Sequence, residues 1–189
     1  NGAALTAQIK KTGAVSISIF GDGTPNIGAW HEAVNLAAVW KLPAVFLCEN
    51  NLYGEYSPYA TTSPVPNVVD RASAYGIPGV IVDGQDALAV FEATTAAIAR
   101  ARAGDGPTLI EAKVFRRRGH YAGDPQHYRA PDYASAYRDP LALLEARLAP
   151  DRALALRSAA QAQVQTAYEA ALAAPGADSS VIYRDLYHG

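Results

Sequence analysis

The chain has 189 residues, enough for one α/β domain with a two-faced core and too few for two domains of usual size. Its 16 Lys and Arg nearly balance 18 Asp and Glu, and its apolar runs are far shorter than the roughly 20 residues that span a bilayer, so neither nucleic acid nor a membrane is an expected partner. The single cysteine, Cys48, allows no internal disulfide and fits a reducing compartment, so the expected location is the cytoplasm. There is no methionine and the chain opens inside a helical pattern, which reads as a piece of a longer protein.

In chain order, residues 3–11 are helix-like, with Gly13 placed as the stop, and residues 14–20 (AVSISIF) read as a buried strand. That strand runs into the turn Gly21-Asp22-Gly23. From Ile27 to Lys41 apolar residues recur at helical spacing until Leu42-Pro43, and residues 44–48 (AVFLC) form a continuous apolar run, as in a strand covered on both faces. Asn50-Asn51 follows. Residues 52–67, rich in Pro, Tyr, Ser and Thr, read as a draping loop, and residues 68–75 as a short helix. Residues 79–82 and 107–115 are further strands around a helix at 87–103 that Asp86 can cap and Gly104 can end. Repeated strand, helix, strand units predict an α/β fold, a parallel sheet with helices on both faces. Residues 116–131 (RRRGHYAGDPQHYRAP) form a long polar loop of the functional kind. Residues 140–148 and 151–173 are helical, and 181–187 a last strand or an arm. The division expected is a ligand-binding domain over 1–139, with a helical extension over 140–189 packed on it.

In a parallel sheet the two apolar strands open their carboxyl ends on one edge, where open α/β folds bind ligands. Asp22 and Asn51 can therefore meet there. A carboxylate and an amide oxygen suit a hard octahedral cation such as magnesium, and glycines beside Asp22 let backbone approach a phosphate. Either turn alone is unspecific. Together, with residues 24–49 (26 positions) between Gly23 and Asn50, apolar strands before both and a helix between, they match the thiamine diphosphate fingerprint. A generic dinucleotide-binding loop fits less well, because GDGTPNIG lacks the third glycine at the required spacing.

The run GDGTPNIGAWHEAVNLAAVWKLPAVFLCENNLYGEYSP, with VDGQDALAVFEAT, GDGPTLIEAKVFRRRGH and DPQHYR, resembles the alpha subunit of the thiamine-dependent decarboxylating component of 2-oxo acid dehydrogenase complexes, in its pyruvate and acetoin branches. The resemblance implies the thiamine diphosphate-binding fold. It also implies that Asp22, the Asn51 side chain and the Tyr53 carbonyl bind Mg2+, that Gly21, Gly23 and Thr24 line the diphosphate, and that His120 is the active-site loop histidine, near both the thiazolium and the diphosphate. Arg116 is expected to anchor that loop, pairing with Asp124 or contacting phosphate. The implied reaction is decarboxylation of a 2-oxo acid, pyruvate first, with acyl transfer to the lipoyl domain of an acyltransferase component. Acetoin cleavage is the alternative, and a catalytically incomplete binding chain a second one. The implied partner is a beta subunit in an alpha2/beta2 assembly. That subunit supplies the glutamate that activates the pyrimidine, so neither Glu32 nor Glu49 has that part. In a eukaryote the location implied is the mitochondrial matrix. The serines that a kinase modifies in mitochondrial relatives are replaced here by Tyr121, Gly123 and His127, so no such regulation is expected.

Overall fold

A computed structural model describes residues 1–184. Helix α1 (Gly2–Lys10) ends one residue before the expected bound, because Lys11, ahead of Gly13, takes the left-handed conformation (φ 51°) that stops it. Strand β1 (Ser16–Gly21) runs into the Asp22 turn, a single 3-10 turn at Thr24–Asn26 follows, and α2 (Gly28–Val39) begins after it. Strand β2 (Ala44–Asn50) ends at the asparagine pair. Its following loop is more ordered than its composition suggests: two-residue strands β3 (Tyr53–Gly54) and β4 (Ser57–Pro58) pair antiparallel, and a one-turn helix α3 (Tyr59–Thr62) follows. Residues Val68–Tyr75 form a 3-10 helix whose start is closed by a reciprocal capping box between Asn67 and Asp70. Strand β5 (Gly79–Asp83) leads to α4 (Ala87–Arg102), whose first N–H groups, on Leu88 and Ala89, donate to the Asp86 carboxylate as predicted. Strand β6 (Thr108–Lys113) leads into the long loop, which contains a 3-10 turn at Tyr133–Ala136 and ends at α5 (Pro140–Glu145).

The four long strands are all parallel, in the order β1-β2-β6-β5, with Gly21 level with Glu49 and Asn50 level with Lys113. Alternation along β2 decides which layer each residue feeds. Ala44, Phe46 and Cys48 join Trp30, Val34 and Ala37 of α2, Ala4 of α1 and Val68 and Ala72 of the 3-10 helix in one core. Val45 points the other way, into a second core with Ile110 and Ala112 of β6 and Ala97 of α4. Helices thus cover both faces. Each wholly buried aliphatic side chain here, such as Val34, Leu42 or Leu109, stabilises the fold by roughly 1.5–3 kcal/mol. The prediction of a buried first strand is corrected: β1 is an edge strand, with Ile17 and Ile19 43% and 62% exposed. Sequence pattern marks a residue as apolar, but position in the sheet decides whether anything covers it.

Two compact units divide between Leu144 and Glu145. In the second, α6 (Pro150–Ala173) begins with proline in its first turn and is exposed along its length apart from half-buried Ala153. Within that unit, Arg157 pairs with Glu145, and the Gln165 amide donates to Glu169 at 2.7 Å. Residues 181–183, expected with the rest of 181–187 as a strand or an arm, belong to a 3-10 helix at Ser179–Tyr183, and 185–187 lie outside the described residues. No helix among the described residues is long and apolar enough to cross a membrane.

Candidate functional site

Parallel registration brings the two strand-end turns together. Asp22 leaves β1 almost wholly buried, at 2% exposure, and its Oδ2 has no hydrogen-bond partner among the described residues. Burial pushes its carboxyl pKa above the ordinary value of 3.8, against the opposing pull of the Asp22 and Asn51 backbone N–H groups and the Arg116 charge. The Asn51 backbone is therefore a direct neighbour of the Asp22 carboxyl. Gly23 and Gly54 also face each other: a Cβ on either would lie 3.6 Å from the other's Cα, so the first turn and the β3 segment approach backbone to backbone.

The second turn is held by side chains. Asn50 Oδ1 accepts from Leu52 N at 2.8 Å, and Asn51 Oδ1 accepts from Tyr53 N at 3.2 Å, two successive Asx turns. Leu52 takes φ 69° at their centre, and its carbonyl accepts from Tyr59 N at 2.8 Å. Tyr133 Oη donates to the Asn51 carbonyl at 3.2 Å, while its ring stacks on Phe115 and meets Tyr53 edge-on. Two open hollows of about 570 and 440 Å³ flank this turn, with Leu52 and Tyr133 lining both.

The long loop folds around Asp124. Its carboxylate accepts from His120 N (2.7 Å), Gln126 N (2.8 Å) and Tyr128 Oη (2.7 Å). Burial raises its pKa, but these three donors and the Arg116 charge outweigh that and hold it below the ordinary value. Gly119 is required by closeness: a Cβ there would meet the Asp124 Cβ at 2.5 Å. Arg116 was expected to pair with Asp124 or to contact phosphate. The direct pairing with Asp124 is corrected: Arg116 donates to Tyr128 Oη at 2.7 Å and to the Glu55 carbonyl at 2.8 Å, and reaches Asp124 through the shared tyrosine hydroxyl. The His120 side chain is exposed, with Nδ1 3.4 Å from Arg116 Nη1 and its ring edge-on to Tyr56.

The structure therefore clusters Gly21, Asp22, Gly23, Asn51 and Tyr53 at one sheet edge, with Thr24 half-buried in the turn after Gly23. His120 joins through loop contacts to Glu55 and Tyr56 on the strand-end segment. No group of three or more His, Cys, Asp or Glu able to hold a metal occurs among the described residues. One buried carboxylate with a free oxygen, an amide oxygen and a backbone carbonyl is nevertheless an all-oxygen donor set that fits Mg2+, which completes its shell with water and phosphate. Sequence reasoning missed Glu111, Arg71 and Tyr133, which support the turns from outside. A lone acidic residue in the apolar run TLIEAK was the signal available for the first.

Parallel strands, two ligand-facing turns at their carboxyl ends and a long loop folded beside them define an α/β ligand-binding domain of the doubly covered kind. The chain belongs to the family described as Dehydrogenase E1 component, which matches residues 1–176 and is built on a thiamine diphosphate-binding domain. It is 53% identical over 131 residues to the alpha subunit of acetoin:2,6-dichlorophenolindophenol oxidoreductase of Bacillus subtilis, covering 69% of this chain and 39% of that protein. It is 41% identical over 150 residues to the alpha subunit of 2-oxoisovalerate dehydrogenase of Bacillus subtilis, covering 78% and 46%. It is 36% identical over 181 residues to the alpha subunit of the pyruvate dehydrogenase E1 component of Porphyra purpurea, covering 92% and 53%. The chain thus spans about half the length, or less, of these relatives.

Proposed function

We propose that this chain is part of the alpha subunit of a thiamine diphosphate-dependent, Mg2+-requiring oxidoreductase of the cytoplasm, working with a beta subunit as alpha2/beta2. The observation that carries the reading is the buried, unpartnered Asp22 Oδ2 beside the Asn51 turn. Asp22, the Asn51 side chain and the Tyr53 carbonyl would hold Mg2+. Gly21, Gly23 and Thr24 leave room for the diphosphate. Bound thiamine diphosphate supplies the nucleophilic carbon and the electron sink that let a bond beside a ketone break. His120 stands at the mouth of the site, its backbone fixed by Asp124. Arg116 has only N–H donors to offer, so the contact at Nδ1 favours the imidazole tautomer that carries its proton on Nε2, the nitrogen left to exchange a proton with substrate or to orient a lipoyl group.

The substrate that the resemblance implies first is pyruvate, which would lose carbon dioxide and pass its two-carbon unit as an acyl group to the disulfide of a lipoyl domain, which takes up the two electrons. The 53% identity to an acetoin-acting relative favours a second reading, in which acetoin loses an acetaldehyde unit in the same site. Both present a methyl ketone carbon bonded to a group that departs. The full subunit, co-purified with its beta partner and given thiamine diphosphate and Mg2+, is expected to reduce an artificial acceptor with pyruvate or acetoin faster than with branched 2-oxo acids. Absence of turnover with all three, together with absence of Mg2+-dependent cofactor binding, overturns the reading in favour of a catalytically incomplete chain.

A further inference from the structure

The 3-10 helix Val68–Tyr75 reaches both strand-end turns from behind. On one side Arg71 donates to the Pro25 carbonyl, to Asn26 Oδ1 at 2.9 Å and to Ser63 Oγ at 3.2 Å, so it grips the turn that follows Gly23. On the other side lies Glu111, which is wholly buried in β6. Its Oε2 accepts from Val69 N of the 3-10 helix at 2.9 Å, and its Oε1 accepts from Asn50 Nδ2 at 2.6 Å and from Lys113 Nζ. A buried carboxylate is a poor way to stabilise a core, since an apolar residue of similar volume avoids the desolvation cost. Its contacts run instead to the turn. Asn50 Nδ2 is held by Glu111, so Asn50 Oδ1 is aimed at Leu52 N, and Leu52 is kept at φ 69°. A bulky residue persists in that region only where its surroundings impose it. Asn51 and Tyr53 stand on either side of Leu52.

We propose that Glu111 is a positioning residue for the metal and diphosphate: through Asn50 it holds Leu52 in the left-handed conformation, and so sets where the Asn51 side chain and the Tyr53 carbonyl stand relative to Asp22. The inference rests on the cofactor reading above. It assigns Glu111 no contact with cofactor or substrate.

The test uses the full alpha/beta complex without substrate. Thiamine diphosphate affinity is measured by calorimetry at fixed Mg2+, the bound-ion spectrum by electron paramagnetic resonance with Mn2+ replacing Mg2+, and the thermal midpoint beside both. Glu111→Gln keeps the shape and removes the charge, and is expected to weaken thiamine diphosphate binding about tenfold and to alter the Mn2+ spectrum. Asn50→Ala removes the relay while leaving Glu111 its bonds to Val69 and Lys113, and is expected to do the same. Val68→Ala, a wholly buried core position on the same 3-10 helix, is expected to lower the thermal midpoint while leaving affinity and spectrum unchanged. Native affinity in either assembled variant overturns the proposal, as does an equal loss of affinity in Val68→Ala. Failure of both Glu111→Gln and Asn50→Ala to assemble makes Glu111 a folding residue and also ends it. If the wild-type complex itself binds no cofactor, the cofactor reading fails, an outcome distinct from one in which wild type and Glu111→Gln bind equally.

Discussion

The two strand-end turns are built on opposite plans. At the end of β1, Asp22 is buried with a carboxylate oxygen that nothing among the described residues satisfies. At the end of β2, Asn50 and Asn51 lock Leu52 and Tyr53 into consecutive turns, Glu111 anchors Asn50, and Tyr133 caps the Asn51 carbonyl. The first turn leaves that oxygen unmet, where the proposed Mg2+ would bind. The second is closed by its own hydrogen bonds. If the ion binds as proposed, pre-organised donors on one side and an unmet oxygen on the other would spare the backbone a further cost of ordering.

Three measurements bear on that contrast, in falling order of effect. Asp22→Ala is expected to weaken Mg2+-dependent thiamine diphosphate binding by roughly a hundredfold or more, while the metal-free thermal midpoint holds or rises, because a buried carboxylate with one unsatisfied oxygen has gone. A marked fall in metal-free stability would instead put Asp22 among the structural groups. Next comes acid. The Asp124 pKa lies below its ordinary value, so its contribution to loop order is fully present above 3.8 and is lost as pH falls through the depressed folded value. Hydrogen exchange at the His120 and Gln126 amides is expected to stay slow above that window and to speed up below it, and Asp124→Asn should make exchange fast even at neutral pH. The smallest effect belongs to Tyr133→Phe, which removes only the hydroxyl bond to the Asn51 carbonyl and should cost about 0.5–1.5 kcal/mol of stability with less than a tenfold change in cofactor affinity. A larger loss of affinity would move Tyr133 from bracing the turn to shaping the site.

Much of this was legible in the sequence. A continuous apolar run marked β2, helical spacing marked α2, and Asp86 marked the start of α4, since each signal is local and the structure honours it. The spacing of Asp22 and Asn51 foretold that they would share an edge, because parallel pairing leaves no other arrangement. Exposure of β1 was not legible, because AVSISIF carries no mark of its place in the sheet. Nor was the β3 and β4 pair, where two residues per strand are too few to show alternation. Glu111 acts 61 positions from Asn50, and Tyr133 acts 82 positions from Asn51, separations at which no sequence periodicity operates. Arg116 was read as pairing with Asp124 or contacting phosphate, and a direct pair with Asp124 does not form because the hydroxyl of Tyr128 stands between them.

The outer margin of β1 has a practical consequence for anyone preparing this polypeptide. A strand written serine, isoleucine, serine, isoleucine, with both isoleucines bare and, among the described residues, no strand beyond it, offers a template on which another chain can add by backbone pairing. Neither a proline nor a lysine interrupts it. Produced by itself at high concentration, this polypeptide should self-associate along that margin, and placing a lysine at Ile19 is the smallest change that would keep it dispersed.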